Sequence, residues 1–154
     1  MGTRGIADLV KGRVLAVDVG ARRVGLAISD VSGTLARPLE TIAVTSATDA
    51  VDRVARRIAQ LADEDDGLAT VVVGMPSRLD GTPSSQTARV AAFIASLTPR
   101  TSIAIATQDE RLTSREAESR LAVGERDWRK RKEKLDAVAA AIVLQDYLDR
   151  ERGR

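Results

Sequence analysis

Apolar residues recur along this chain in two rhythms, short β-prone runs and longer stretches at helical spacing. The run RVLAVDVG, residues 13–20, predicts a buried strand that ends at a carboxylate and a glycine. VGLAISD, residues 24–30, alternates and ends in turn residues, so the two runs with ARR around residue 22 between them predict a hairpin. A third run, LARPLETIAV, follows the turn at Ser32 and Gly33, and Pro38 within it points to an edge strand or a break because proline cannot donate to a ladder. From Thr48 to about Asp63 the residues Val51, Val54, Ala55, Ile58, Ala59, Leu61 and Ala62 fall on helical spacing, with EDDG as the exit.

The wholly apolar, β-branched TVVVG, residues 70–74, reads as a central parallel strand covered on both faces. MPSRLDGTPSS reads as a loop, QTARVAAFIASL as a helix stopped by Pro99, and TSIAIAT as a further strand. Thr113 to Glu116 carry a capping-box pattern, which predicts a helix running to Val123 and stopped by Gly124. A charged linker, GERDWRKRKEK, then leads to a last helix from about Leu135 to Arg150, apolar nearly all the way round in its first half and therefore buried. Three strands followed by alternating helices and strands imply an α/β domain, a mixed sheet with helices on its faces. The expected organisation is a flexible leader over residues 1–12, one domain over 13–150 and a short tail over 151–154.

Composition narrows the chemistry. With 154 residues the chain suits one domain with a real core. Cysteine and histidine are both absent, which removes disulfides, thiolate metal sites, a thiol nucleophile and the usual general base. Catalysis here must run on carboxylates, hydroxyls, Lys or Arg. Aromatic residues make up 2%, just Phe93, Trp128 and Tyr147, so base-stacking platforms are nearly lacking. The formal charge is only +2 although the pI is about 9.4, so any nucleic-acid role depends on where the charges sit. No stretch reaches membrane-spanning length and the leader lacks the apolar run of a signal peptide; a cytoplasmic protein without a membrane partner is expected.

Three carboxylates stand out by position. Asp18 lies where a buried strand runs out, and an ionised group there needs a cation or donors in return for its lost hydration; a turn aspartate satisfied by local N–H groups is the plainer alternative. Asp136 heads a helical face continued by Ala140, Val143 and Tyr147, although it could equally cap that helix. Asp109 and Glu110 follow the TSIAIAT strand, and alternation allows at most one of them to join Asp18; a solvated acidic loop paired with Arg111 is the alternative. Should the first and last strands be neighbours, these carboxylates would meet at one sheet edge. Such a cluster suits Mg²⁺ or Mn²⁺, hard cations that take oxygen ligands and activate water for phosphodiester hydrolysis.

Four segments in order, DVGARRVGLAISD, VVVGMPSRLDGT, DERLTS and KLDAVAAAIVLQDYL, resemble the YqgF (RuvX) family, described as Holliday-junction resolvases and as nucleases that mature the end of pre-16S ribosomal RNA. The resemblance spans most of the chain from Val14 to Leu148 and implies an RNase H-like fold, with a five-stranded mixed sheet and helices on both faces. It implies that Asp18, Glu110 and Asp136 are the catalytic, metal-holding acids, and it selects Glu110 over Asp109. By the same resemblance Arg23 serves phosphate contact, Gly74, Pro76, Asp80 and Gly81 set a loop after the central strand, and Arg111 and Thr113 belong to the third motif. Ser114 and Pro83 depart modestly from the pattern. Ala139 stands where the related RuvC resolvases carry a further Asp.

The run RKRKEK places Arg129, Lys130, Arg131, Lys132 and Lys134 just before Asp136, where they could grip flanking phosphates or form a solvated helix face. With Arg23, Arg78 and Arg111 they are the candidate nucleic-acid contacts. Trp128 either stacks on a base or covers the last helix. The leading expectation is a metal-dependent nuclease acting on RNA or DNA, including ribosome precursors, as a monomer or homodimer. The competing ones are a non-catalytic nucleic-acid- or ribosome-binding factor, and an ATPase or kinase, which the length and the missing G-x-x-x-x-G-K-[ST] loop disfavour.

Overall fold

The structure is a computed structural model that describes residues 12–76, 82, 86–110 and 128–153, and of 128–134 the backbone alone. Its strands are β1 (Arg13–Val19), β2 (Arg23–Ser29), β3 (Ala36–Ala43), β4 (Leu68–Met75) and β5 (Ala104–Asp109); its helices are α1 (Ala47–Ala62), α2 (Thr87–Leu97), with a 3-10 turn at Thr98–Arg100, and α3 (Trp128–Arg152). The strands form one mixed sheet in the order β3-β2-β1-β4-β5. β1 pairs antiparallel with β2 and parallel with β4, and β3 and β5 are its edges. Pro38 sits on the edge strand β3, where its missing N–H costs least.

Alternation along each strand sorts side chains by size. On one face Leu15, Val17, Leu26, Ile28, Val71 and Val73 pack under α1 and α2 through Val54, Ile58, Leu61, Val90, Phe93 and Leu97. On the other face the sheet offers small residues, Ala16 and Ala27, to Ala140, Leu144 and Leu148 of α3. Large aliphatic side chains thus hold two helices at ordinary distance, whereas alanines and glycines bring the third down onto the sheet.

α1 begins one residue earlier than its periodicity predicts, because Ser46 caps it by accepting from Asp49 N–H at 3.0 Å. Its far end is fastened by buried Arg13, whose guanidinium donates to the carbonyls of Leu61 and Gly67 and pairs with Glu64 at 2.9 Å. α3 departs further from expectation, starting at Trp128 and ending at Arg152. The charged linker continues into the helix because Arg, Lys, Glu and Leu are all good helix formers. Asp136 therefore lies in the third turn and cannot be that helix's N-cap. The expected helix from Thr113 to Val123 lies outside the described residues, as do all of the leader but Gly12 and the candidates Arg78 and Arg111.

The first and last strands are not neighbours, contrary to the simplest convergence scheme: β4 lies between β1 and β5. What closes that gap is described below. α3 meets β2 at Gly25, where an added Cβ would overlap the Asp136 carbonyl oxygen and crowd Ala137 N at 3.0 Å. Gln145 fixes the other end of the contact, donating to Thr34 O at 3.0 Å and accepting from Ala36 N at 2.9 Å.

Gly25→Ala is expected to destabilise the protein by about 1–3 kcal/mol or more, since the obstacle is helix backbone rather than a side chain that can turn away. Urea unfolding checks this, and a variant as stable as the original would show that α3 does not rest on Gly25.

Candidate active site

One row of residues crosses the sheet beneath α3. Asp18 pairs with Gly25 on β2, the register of Val17 with Val73 brings Gly74 of β4 to its other side, and Gly74 pairs with Gln108 of β5. All four share the α3 face, because residues paired across a sheet point the same way. Glu110 lies two residues beyond Gln108, its N–H bonded to Met75 O at 3.2 Å, and it returns to the same face. Asp109, paired with Met75, points to the opposite one. Register therefore separates the two adjacent acids.

Gly74 is what lets Glu110 reach Asp18 across a full strand. A Cβ there would come within 2.6 Å of Glu110 Oε2 and 3.2 Å of its Cδ, with Val143 of α3 at 3.4 Å. The carboxyl group thus occupies the space a side chain on β4 would take, and from there it hydrogen-bonds to Asp18. Asp136 arrives from above on α3 and is held by Arg23, Nε to Oδ2, at 2.6 Å; each of these two side chains is 29% exposed.

Burial governs the electrostatics. It pushes the Glu110 carboxyl up to about 9, reinforced by the adjacent Asp18 charge, by the hydrogen bond between them and by Asp109. Burial likewise raises Asp18; the bond from Glu110 opposes that rise and the nearby Asp136 charge adds to it. Two enclosed carboxyl groups cannot both be ionised without a counter-charge, so at neutral pH a proton sits between them, donated by Glu110 and accepted by Asp18.

Asp18, Glu110 and Asp136 come together as a pair plus one. Among the described residues no three carboxylates already stand as a ligand group, and Arg23 engages Asp136. The surroundings nonetheless suit a hard cation. The donors are all oxygen, the Gly74 cradle holds one of them, and among the described residues Arg23 is the cation beside the acids, engaged by Asp136. On the same row, Gln108 Oε1 is buried without a hydrogen-bond partner among the described residues. A buried amide oxygen left unpaired costs about 1–3 kcal/mol, and a cation or its water shell would satisfy it.

Arg23 stands at the start of β2 with its guanidinium on Asp136. Arg129 to Lys134 lie on the first turns of α3, on the N-terminal side of Asp136. Ala139 is 4% exposed and packs with Leu135, Val138 and Ile142, so it offers no fourth ligand position. Gln108 was missed by sequence reasoning, although an amide two residues before Glu110 on an alternating strand was the available signal. The contact of Gly25 with the Asp136 backbone had no such signal, since it joins residues more than a hundred positions apart.

A family model described as "RuvX: Holliday junction resolvase" matches residues 12–150. A protein of Chloroflexus aggregans named "Putative pre-16S rRNA nuclease" is 40% identical over 139 residues, covering 90% of this chain and 94% of the relative. One of Desulforudis audaxviator with the same name is 36% identical over 143 residues, covering 92% and 98%. Among solved structures, the Thermus thermophilus RuvC in complex with a Holliday junction substrate superposes with a TM-score of 0.54 at 16% identity, over 92% of this chain and 96% of that one. At that identity the likeness is one of fold, and the fold is the RNase H-like one expected from the motifs.

The raised carboxyls make metal-free stability depend on pH with a definite sign. Glu110 ionises near 4.5 when unfolded and near 9 when folded, so between these values the folded state keeps a proton that the unfolded state has released. Its contribution is complete below about 4.5 and is lost as pH rises toward about 9, and Asp18 acts in the same direction. Melting in EDTA between pH 5 and 9 is expected to show a steeper fall for the wild type than for Glu110→Gln; parallel profiles would mean that the proton is not held there.

Proposed function

The chain belongs to the RuvX family, and on that premise we propose that it is a nuclease that hydrolyses phosphodiester bonds with a divalent cation, Mg²⁺ or Mn²⁺, held by Asp18, Glu110 and Asp136. The observation that carries this reading is the pair of enclosed, proton-sharing carboxyls over Gly74, with a third acid close enough to act on Asp18. The composition agrees, because with neither histidine nor cysteine in the chain, oxygen ligands are what remain. When bound, the cation supplies an activated water and charge stabilisation at the leaving oxygen.

The chain's own groups have separable tasks. Asp18 and Glu110 release their shared proton when a cation replaces it, which ties the site's readiness to pH. Arg23 presents a guanidinium with five donors, of which Nε goes to Asp136, so the group can orient that carboxylate and meet a phosphate oxygen. α3 shields the pair from bulk water on its side through Val143. The basic first turns of α3, Arg129 to Lys134, supply phosphate contacts that carry little sequence information.

The relatives' names point to precursor ribosomal RNA as substrate and the family description to four-way DNA junctions. Precursor RNA is the reading adopted, since the relatives sharing more than a third of their residues bear that name. The described residues hold no helix long and apolar enough to cross a membrane, and the working site is taken to be the cytoplasm, where precursor RNA is met. One observation favours a non-catalytic binding role instead, namely the engagement of Asp136 by Arg23.

A single panel decides between them. Purified protein is expected to cleave a pre-16S fragment in Mg²⁺ or Mn²⁺, with junction and single-stranded DNA as comparison substrates. Asp18→Asn is expected to lose more than the about 10–100-fold that outer-shell changes cost, because it removes a direct ligand. Cleavage by Asp18→Asn at the wild-type rate would overturn the nuclease reading and leave the binding role. Calorimetry in buffers of different ionisation enthalpy is expected to show about one proton released per cation bound near pH 7.5, and none for Glu110→Gln.

A further inference from the structure

We propose that the cavity between α1, α2 and the exit of β1 is a subsite for one nucleotide of the substrate strand, adjacent to the scissile phosphate. The inference rests on the nuclease reading and adds to it a place where the strand is gripped.

The cavity has a volume of about 570 Å³. That lies within the about 300–1,000 Å³ usual for small-ligand sites and is ample for a base with its sugar. Its lining includes Val19 and Gly20, the two residues that follow Asp18, and it lies on the face of the sheet opposite α3, under α1 and α2. A strand whose phosphate lies at Asp18 can therefore turn over the end of β1 and set its next nucleotide there. Val19, Val44, Val51 and Phe93 make an apolar floor, all of them buried.

The rim has the complementary charge. Arg89 and Arg100 line the cavity, and among the described residues no carboxylate does. Arg100 is paired with Asp52 at 2.8 Å, but both side chains are more than 40% exposed, and a surface pair of that kind is weak enough for a phosphate to compete. A base seated here would rest on aliphatic side chains and Phe93. Such contact grips every base alike, in keeping with a site that selects by shape and backbone.

Ala92 and Ser96 are exposed positions on α2 whose side chains line the cavity, so they can be enlarged without disturbing the core. Affinity for a short single-stranded RNA in EDTA, read by fluorescence anisotropy, is expected to fall about tenfold or more in Ala92→Trp, and also in Arg89→Glu. An abasic nucleotide beside the cleavage position should weaken binding to the wild type by a similar factor and leave Ala92→Trp unaffected. Ser96→Trp provides a second filling variant should Ala92→Trp melt early. Variants that melt with the wild type and bind RNA as tightly overturn the subsite while leaving the nuclease reading intact. A wild type that neither binds nor cleaves nucleic acid overturns both. Unchanged RNA affinity with an altered oligomeric state in Ala92→Trp assigns the cavity to a second copy of this chain and overturns the nucleotide subsite.

Discussion

α3 rests on the sheet backbone to backbone, and the close approach at Gly25 sets the position of everything above it. Asp136 belongs to the stretch of helix that makes this contact, so the glycine on β2 fixes the height of a carboxylate more than a hundred residues away. Ala16, Ala27 and Ala140 extend the contact as a shallow seam of small residues. A larger residue anywhere along that seam would lift α3 and with it the third acid. At these three positions a small side chain is a geometric requirement of the site as much as a property of the core.

A second missing side chain works in the opposite sense, leaving a hole for a polar group to fill. Glu110 belongs to the end of an edge strand and Asp18 to the central one, and any Cβ on β4 at position 74 would stand between them. The outcome is a carboxyl pair held away from water, with the affinity for protons that enclosure produces. Enclosure that raises affinity for a proton is the same property that would favour a small hard cation, since either would offset the negative charge of the pair. Arg23 sets a limit on this, because it already satisfies Asp136 and would have to share or yield it to any cation bound there.

The two faces of the sheet divide the labour. The face under α1 and α2 carries the large aliphatic side chains that give the domain its core, and at the end of β1 it leaves a basic-rimmed cavity. The face under α3 gives up bulk so that polar groups can be enclosed. Asp18 and Val19 are consecutive residues and therefore point to opposite faces, so one strand end serves both surfaces.

Hydrophobic rhythm alone was enough to find every strand and the helices α1 and α2, because burial on a sheet face or a helix stripe imposes a period that local residue order must obey. The same rhythm marked Asp18 as a carboxylate at a strand end. Local position also marked Asp136 and the pair Asp109 and Glu110, but only the resemblance chose Glu110: alternation was blind to which of the two mattered until the register of β5 on β4 was known. Strand order was equally illegible, and β4 proved to lie between the strands imagined as neighbours. The spacing of charges also concealed how early α3 begins, since good helix formers in a charged run look like a linker. What only the tertiary structure decided are the contacts across long sequence distances, Gly25 under Asp136, Gly74 under Glu110 and Arg23 on Asp136, because a pattern with periods of two and 3.6 residues carries no record of which distant residue will fill the space a glycine leaves.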